Sequence, residues 1–350
     1  MGDAESQAVL GDLTKATIFL TVTIHEGDKH LDAVRGLFAD LGGLRRSVWF
    51  KNPGEDLTCV TGIGSDLWDR MFTGPRPKGL HKFIPLNGVY PAPSTPGDLL
   101  FHIRSQSMGY CFELAKLIRE RLAGHSTVED ETHGFLYFER RDLLGFVDGT
   151  EKPNGKARIQ AAVIGNEDPD FAGGSYVITQ KYLHDLDKWQ ELTDERQSAI
   201  IGRHKLSDVE IPDDEKESYS HVTLNTIADA DGVQLDILRA NMPFGQAGNG
   251  ENGTYYIAYS CEPGRTEEML RNMFIGKPPG NYDRILDVST AITGCLYFVP
   301  TMDFLDDMPP ENPSPSVTGA DDAPAAEPEK SSGTSKGDGS LGLGSLKEGK

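Results

Sequence analysis

The chain contains no Cys-x-x-Cys pair. Its 350 residues hold four cysteines, Cys59, Cys111, Cys261 and Cys295, all far apart. That spacing suggests neither a zinc ribbon nor an iron–sulfur cluster, and excludes covalent Cys-x-x-Cys-His haem attachment. Scattered thiols suit a reducing compartment. Long apolar runs are missing too: Ala16–Ile24 is too short to span a bilayer and reads as a strand. The amino terminus, Met1-Gly-Asp-Ala-Glu-Ser, lacks a basic n-region, and Arg45-Arg46 and Arg140-Arg141 lie inside the body rather than in an export signal. These features point to a cytoplasmic protein with no membrane partner. Basic clusters are equally absent. Net charge is −20, from 54 acidic and 34 basic residues. Residues 306–350 hold 9 acidic and 4 basic residues, so 1–305 keep 45 against 30, a net −15. Such a body repels nucleic acid and anionic membrane surfaces, and tolerates cationic or neutral aromatic substrates better than polyanions.

What is present is a globular body, with 37% hydrophobic residues and a length that suits two ordinary domains. Residues 17–24 are β-branched and strand-like. Residues 29–41 place Leu31, Val34, Leu37 and Phe38 on one helical face. Residues 57–63 and 99–105 read as strands, 111–122 as an amphipathic helix, and 135–138 as a closing strand. Several of these elements recur. Gly-x-Leu-Tyr-Phe at 134–138 returns at 294–298, and the strand–helix pair 99–105 and 111–122 is echoed by 254–260 and 266–273. A doubled strand–helix–strand unit fits an α+β protein of two domains, each an antiparallel sheet with helices on one face.

The most informative run is Gly145-Phe-Val-Asp148-Gly-Thr150. Phe146 and Val147 suit a buried strand end, and Asp148-Gly149 is a tight-turn dipeptide. A carboxylate carried to the edge of a core is partly desolvated, which raises its pKa toward acid/base work. By residue type alone, Asp148 equally well turns its own backbone. Further on, Ser220-His221 and Leu238-Arg239-Ala-Asn241-Met-Pro-Phe-Gly245 add an imidazole and a guanidinium among apolar neighbours. An arginine so flanked calls for an anionic partner.

In this order, together with Pro278-Pro-Gly-Asn-Tyr282-Asp283-Arg284 and Thr293-Gly294, these motifs resemble the dye-decolourising peroxidases. The likeness runs from about Thr17 to Met302 and is nearest the bacterial group that includes encapsulated members. Lys152 departs from it, since an Asn is expected after Glu151. The resemblance implies two ferredoxin-like domains, at 1–144 and 145–305, with a non-covalent haem b held mainly by the second. It implies that hydrogen peroxide oxidises dyes and other aromatic donors in one-electron steps, and that the protein is a homo-oligomer, dimer or hexamer. His221 is then the proximal iron ligand, Asp283 the carboxylate that orients it, and Arg203 a propionate contact. Asp148 is the proton shuttle, Arg239 the charge stabiliser and Asn241 the hydrogen-bonding group that positions peroxide. Alternatives are a related ferredoxin-like haem protein that splits chlorite or processes haem, and a non-catalytic haem carrier. A distal carboxylate disfavours chlorite chemistry. Trp49, Trp68 and Trp189 qualify as surface oxidation sites by type only.

Beyond Phe304 the composition changes. Residues 306–337 are acidic and rich in proline, too poor in apolar surface to offset the entropy of ordering, and read as a disordered linker. Leu341, Leu343 and Leu346 then return among glycines and serines. Segment 338–350 resembles the cargo-loading peptide that docks enzymes inside an encapsulin nanocompartment. Leucines reaching into apolar pockets give a docking mode, and the linker gives reach.

Overall fold

The computed structural model describes residues 5–149, 152–248 and 250–309. Ten strands form one antiparallel sheet. The first half supplies β1 (Ala16–Ile24), β2 (Thr58–Gly64), β3 (Leu99–Ser105) and β4 (Ser126–Phe135). The second supplies β5 (Ser175–His184), β6 (Leu238–Arg239), β7 (Met242–Phe244), β8 (Gly253–Ser260), β9 (Ser289–Ala291) and β10 (Cys295–Val299). The helices are α1 (Asp28–Trp49), α2 (Ser65–Met71), α3 (Met108–Arg121), α4 (Gly155–Ala162), α5 (Leu186–Gln190), α6 (Asp194–Ile201), α7 (His221–Asn225), α8 (Pro263–Phe274) and α9 (Met302–Asp306). The spatial order is β6-β8-β5-β10-β2-β3-β1-β4, with β7 also on β8 and β9 also on β5. Each half runs strand–helix–strand–strand–helix–strand with its first and third strands central, which is the ferredoxin-like arrangement. The expected α+β class is therefore the observed one.

Alternation along β1 shows why the strands read as continuous apolar runs. Ile18, Leu20 and Val22 pack outward against Val34, Leu37 and Phe38 of α1 and Leu114 and Ile118 of α3. Phe19 points the other way, toward Val60, Leu100, Val177, Tyr255 and Tyr297. Both faces are covered, so neither can be polar. The sheet curls until β7 lies beside β4, where a Cβ on Gly134 would stand 2.7 Å from Met242 Cβ. All four cysteines are buried and unpaired. No helix among the described residues is long and apolar enough to cross a membrane.

The two halves meet at a short seam. Only Tyr297↔Gly64 and Phe298↔Ile63 pair β10 with β2. Where the strands part, the Gln7 side chain substitutes for a strand. Its Nε2 donates to Thr61 O at 3.0 Å and Pro300 O at 2.9 Å, while its Oε1 accepts from Thr61 N at 2.8 Å.

Two expectations need correction. The first helix does not stop at 41 but runs through Gly42-Gly43 to Trp49. Glycine costs a helix about 1 kcal/mol relative to alanine, but Leu44, Val48 and Trp49 pack on the core beyond the pair and carry the helix through. The closing strand of the first half is Ser126–Phe135, not 135–138. Glu139 and Arg140 then take φ of +54° and +59°, which turns the chain out of the sheet and leaves Phe138 exposed. The second copy of Gly-x-Leu-Tyr-Phe stays in the sheet as β10, with Tyr297 and Phe298 buried. The strand–helix echo holds, as β3 then α3 and β8 then α8.

The seam is sensitive to volume. Gly64 has φ −74°, open to any residue, yet a Cβ there would lie 2.4 Å from Gly97 O. Backbone must move, and overpacking of this kind costs about 1–3 kcal/mol. Gly64→Ala is therefore expected to lower the denaturant midpoint in urea unfolding followed by far-UV circular dichroism; an unchanged midpoint refutes the packing argument.

Candidate active site

α7 is a short helix whose cap, Ser220, accepts from Thr223 N at 3.3 Å through its Oγ. His221 is its first residue. The imidazole Nδ1 lies 2.7 Å from Asp283 Oδ2, and Asn225 Nδ2 donates to His221 O at 2.8 Å. Asp283 is 0% exposed. Its Oδ1 accepts from Ile285 N at 3.0 Å, which fixes the carboxylate at the head of a 3-10 turn. Arg284 does not compete for it: that guanidinium donates to Tyr282 Oη at 2.6 Å and lies over the Tyr219 and Tyr282 rings. The carboxylate therefore assigns the donor role to Nδ1. Nε2 makes no hydrogen bond among the described residues, and His221 lines a cavity.

This cavity, about 1440 Å³ with its solvent-filled mouth included, lies between the outer face of β5 and β8 and the helices α7 and α8. Leu144, Phe146, Ile201, Ile237, Met269 and Met273 give it apolar walls. Arg239 and Asn241 enter from the sheet side. Arg239 ends β6 and pairs in register with Ala258. Asn241 Oδ1 accepts from Ile257 N at 3.0 Å, so its amide NH₂ is the end left for the cavity. Asp148 arrives on a hairpin-like loop. In that loop Asp142 N donates to Phe146 O at 2.8 Å and Asp148 N to Arg140 O at 3.1 Å. Arg141 Nη1 holds the loop to Gly145 O and Lys205 O, both at 2.8 Å. Gly145 and Gly149 have φ of +92° and +87°, which side chains with a Cβ adopt only with strain.

The fold thus gathers Asp148, Arg203, His221, Arg239 and Asn241 on one cavity, with Asp283 directly behind His221. Asp148 and Arg239 have no ion pair or side-chain hydrogen bond among the described residues. Arg203 is engaged instead: Nη1 donates to Asp208 O at 2.6 Å and Nη2 to Glu210 Oε2 at 3.3 Å. Trp68 and Trp189 are buried and Trp49 packs on the core, so the indoles read as core.

Sequence reasoning missed three cavity residues. Asp142 is partly buried; loss of solvation pushes its carboxyl up to about 7, against the Phe146 amide and with help from the Asp148 charge. His184 is neutral, held down at about 4 by burial. Both its ring nitrogens are taken, Nδ1 by Ser289 Oγ and Nε2 by Thr254 Oγ1, each at 2.9 Å. That occupancy separates it from His221. Tyr256 carries a phenol pushed up by burial. None lies in a recognisable motif, and only their three-dimensional neighbours mark them.

Asp142 yields a prediction with a definite sign. Its folded pKa lies above the ordinary value of about 4, so the associated stability is complete below pH ~4 and lost as pH rises through about 7. Asp142→Asn keeps an acceptor for Phe146 N and removes the ionisation. Its melting temperature relative to the parent is expected to climb between pH 4 and 8; parallel curves in a calorimetric pH series refute the raised pKa.

Comparison with known proteins places the chain in a family. Residues 6–136 match the family model "Dyp-type peroxidase, N-terminal" and residues 139–304 match "Dyp-type peroxidase, C-terminal". A dye-decolorizing peroxidase of Rhodococcus erythropolis is 55% identical, over 97% of this chain and 96% of its own length. The cryo-EM structure of the encapsulated DyP-type peroxidase from Mycobacterium smegmatis is 56% identical with a TM-score of 0.86, covering 88% of this chain and all of that one. A variant of Rhodococcus jostii DypB solved in complex with haem is 52% identical with a TM-score of 0.84, over 86% of this chain and 97% of that one. The chain belongs to the Dyp-type peroxidase family.

Proposed function

We propose that this enzyme uses hydrogen peroxide to oxidise dyes and other aromatic donors in one-electron steps, with a non-covalent haem b in the cavity of its second half, 145–305. The donor set fits that group. One imidazole, backed by a buried carboxylate, presents a free Nε2 to an apolar cavity whose other walls carry an acid, a guanidinium and an amide. No cluster of three or more His, Cys, Asp or Glu suited to a bare metal ion occurs among the described residues. The observation that carries the reading is the 2.7 Å His221–Asp283 contact facing the same cavity as Asp148, Arg239 and Asn241.

When bound, haem would supply the redox centre that accepts the oxidising equivalents of peroxide and passes them to the donors. His221 Nε2 would hold the haem iron, and the Nδ1 proton shared with Asp283 makes the ring a stronger electron donor. Asp148 takes the proton from the inner peroxide oxygen and returns it to the outer one, which leaves as water. Arg239 stabilises the negative charge that develops as the O–O bond breaks. The Asn241 NH₂ donates to the peroxide and keeps it in line. Arg203, which lines the same cavity, would anchor a propionate on exchanging its Glu210 and Asp208 contacts for it.

His221→Ala is expected to yield folded protein with little bound haem, read from the Soret band. Arg239→Leu should keep its haem yet react with peroxide about 100- to 1000-fold more slowly in stopped-flow, the usual effect of one lost charge-stabilising donor. Normal haem occupancy in the first variant, or parent-like peroxide kinetics in the second, refutes the assignment.

Residues 310–350 lie outside the described part of the chain, so the linker 306–337, apart from its first residues, and the peptide 338–350 rest on sequence. We propose that 338–350 dock the enzyme inside an encapsulin shell, a location supported by the encapsulated M. smegmatis relative. Deleting 338–350 should leave haem content and dye oxidation unchanged and abolish co-purification with a co-expressed encapsulin. Replacing Leu341, Leu343 and Leu346 with Ser should do the same, each leucine contributing about 1.5–3 kcal/mol if fully buried. Packaging that survives both changes refutes the docking role.

A further inference from the structure

Lys152, the departure noted in the sequence, has no part in the reaction described so far. It follows Asp148 by four residues, and its side chain folds back over Gly149. A Cβ built on that glycine would stand 2.4 Å from Lys152 Cε and 2.9 Å from Nζ. Asp148 and Gly149 both line the cavity, so the ammonium lies against the loop that presents the distal carboxylate. Three charged side chains thus converge here. None of Asp148, Arg239 and Lys152 has an ion pair or side-chain hydrogen bond among the described residues. Arg203, by contrast, is already balanced by Glu210 and Asp208.

The electrostatics follow this geometry. Burial lowers the Lys152 pKa, Arg239 and Arg158 push the same way, and Asp148 is the strongest charge opposing them, ahead of Asp12. Interaction between two charges is mutual, so the ammonium favours ionised Asp148 as much as Asp148 favours the ammonium. The other groups facing Asp148 are Asp142, whose raised pKa includes a contribution from the Asp148 charge, and the Tyr256 phenol above the same cavity. The cations around Asp148 are Arg239 and Arg203 on the same cavity, Arg141 and Lys205 at the base of its loop, and Lys152 folded over Gly149.

Taking Asp148 as the proton carrier proposed above, we infer that Lys152 is a positioning residue for the peroxide reaction. Its ammonium, folded over Gly149, adds a positive charge on the Asp148 side of the cavity. It keeps the Asp148 carboxylate ionised, and able to accept the peroxide proton, to lower pH than the other cations do without it. At separations beyond direct contact, one unit charge shifts a neighbouring carboxyl by on the order of half to one pH unit.

The test uses full-length protein and two readouts. Stopped-flow peroxide kinetics across pH give the acid limb for the parent, Lys152→Gln and Lys152→Arg. Infrared titration of each of these, minus its Asp148→Asn counterpart, isolates the Asp148 carboxyl with or without haem. In Lys152→Gln both the acid limb and the carboxyl titration should rise by on the order of half to one unit, and Lys152→Arg should restore both. An unmoved carboxyl titration in Lys152→Gln overturns the inference, even if Asp148→Asn slows the peroxide reaction and so upholds Asp148. A shift that Lys152→Arg fails to restore also overturns it, because packing rather than charge is then at work. If the carboxyl titration moves as expected but Asp148→Asn reacts with peroxide at the parent rate, the proton-carrier reading of Asp148 fails and the role of Lys152 in catalysis falls with it.

Discussion

Two residue pairs join β2 to β10, and through them the two ferredoxin-like halves become one sheet. This contact makes β10 an interior strand, paired with β2 on one side and β5 on the other, and joins the β5–β8 wall of the cavity to the first half. The wall of the cavity is therefore part of a ten-stranded ladder rather than a free edge, and its side chains inherit the rigidity of that ladder. The seam itself depends on close approach. Gly62 leaves room for Tyr297, and Gly64 leaves room for the Gly97 carbonyl. Gln7 then satisfies the backbone groups that the diverging strands would otherwise leave without partners.

On this frame the site keeps its charges in two different states. Behind the imidazole the charge is committed: Asp283 is buried, capped and bonded to His221, so the ring is held in one orientation and one tautomer. Around the open part of the cavity, Asp148 and Arg239 are held apart by their backbone pairings while Lys152 lies over Gly149, and none of the three has an ion pair among the described residues. Direct pairing of Asp148 with Arg239 would strengthen the resting site but leave neither free for a developing charge. Preorganised groups that do not need to be released from one another act at once on an incoming ligand.

The same cavity shows why histidines cannot be ranked by type. His184 and His221 both line it, yet two hydroxyls occupy the nitrogens of His184 while His221 keeps one free. The hydroxyls come from Thr254 and Ser289, 70 and 105 residues away. No local pattern in the sequence connects them.

Local pattern did determine much of this protein. Alternation in β1, the helical spacing of Val34, Leu37 and Phe38, and the strand–helix echo of β3–α3 in β8–α8 follow from short-range periodicity and announce an α+β chain built twice. The ordered motifs around Asp148, His221, Arg239 and Asp283 marked the family, and the structure brings these residues together at one cavity. Tertiary structure decided the rest. It carried α1 through Gly42-Gly43, because apolar contacts beyond a weak point outweigh propensity. It separated the two Gly-x-Leu-Tyr-Phe copies, because only the second is flanked by strands on both sides. It also drew Asp142 and His184 to the cavity and Lys152 onto the Asp148 loop, because solvation and charge depend on neighbours in space, and those neighbours are distant or unremarkable in sequence.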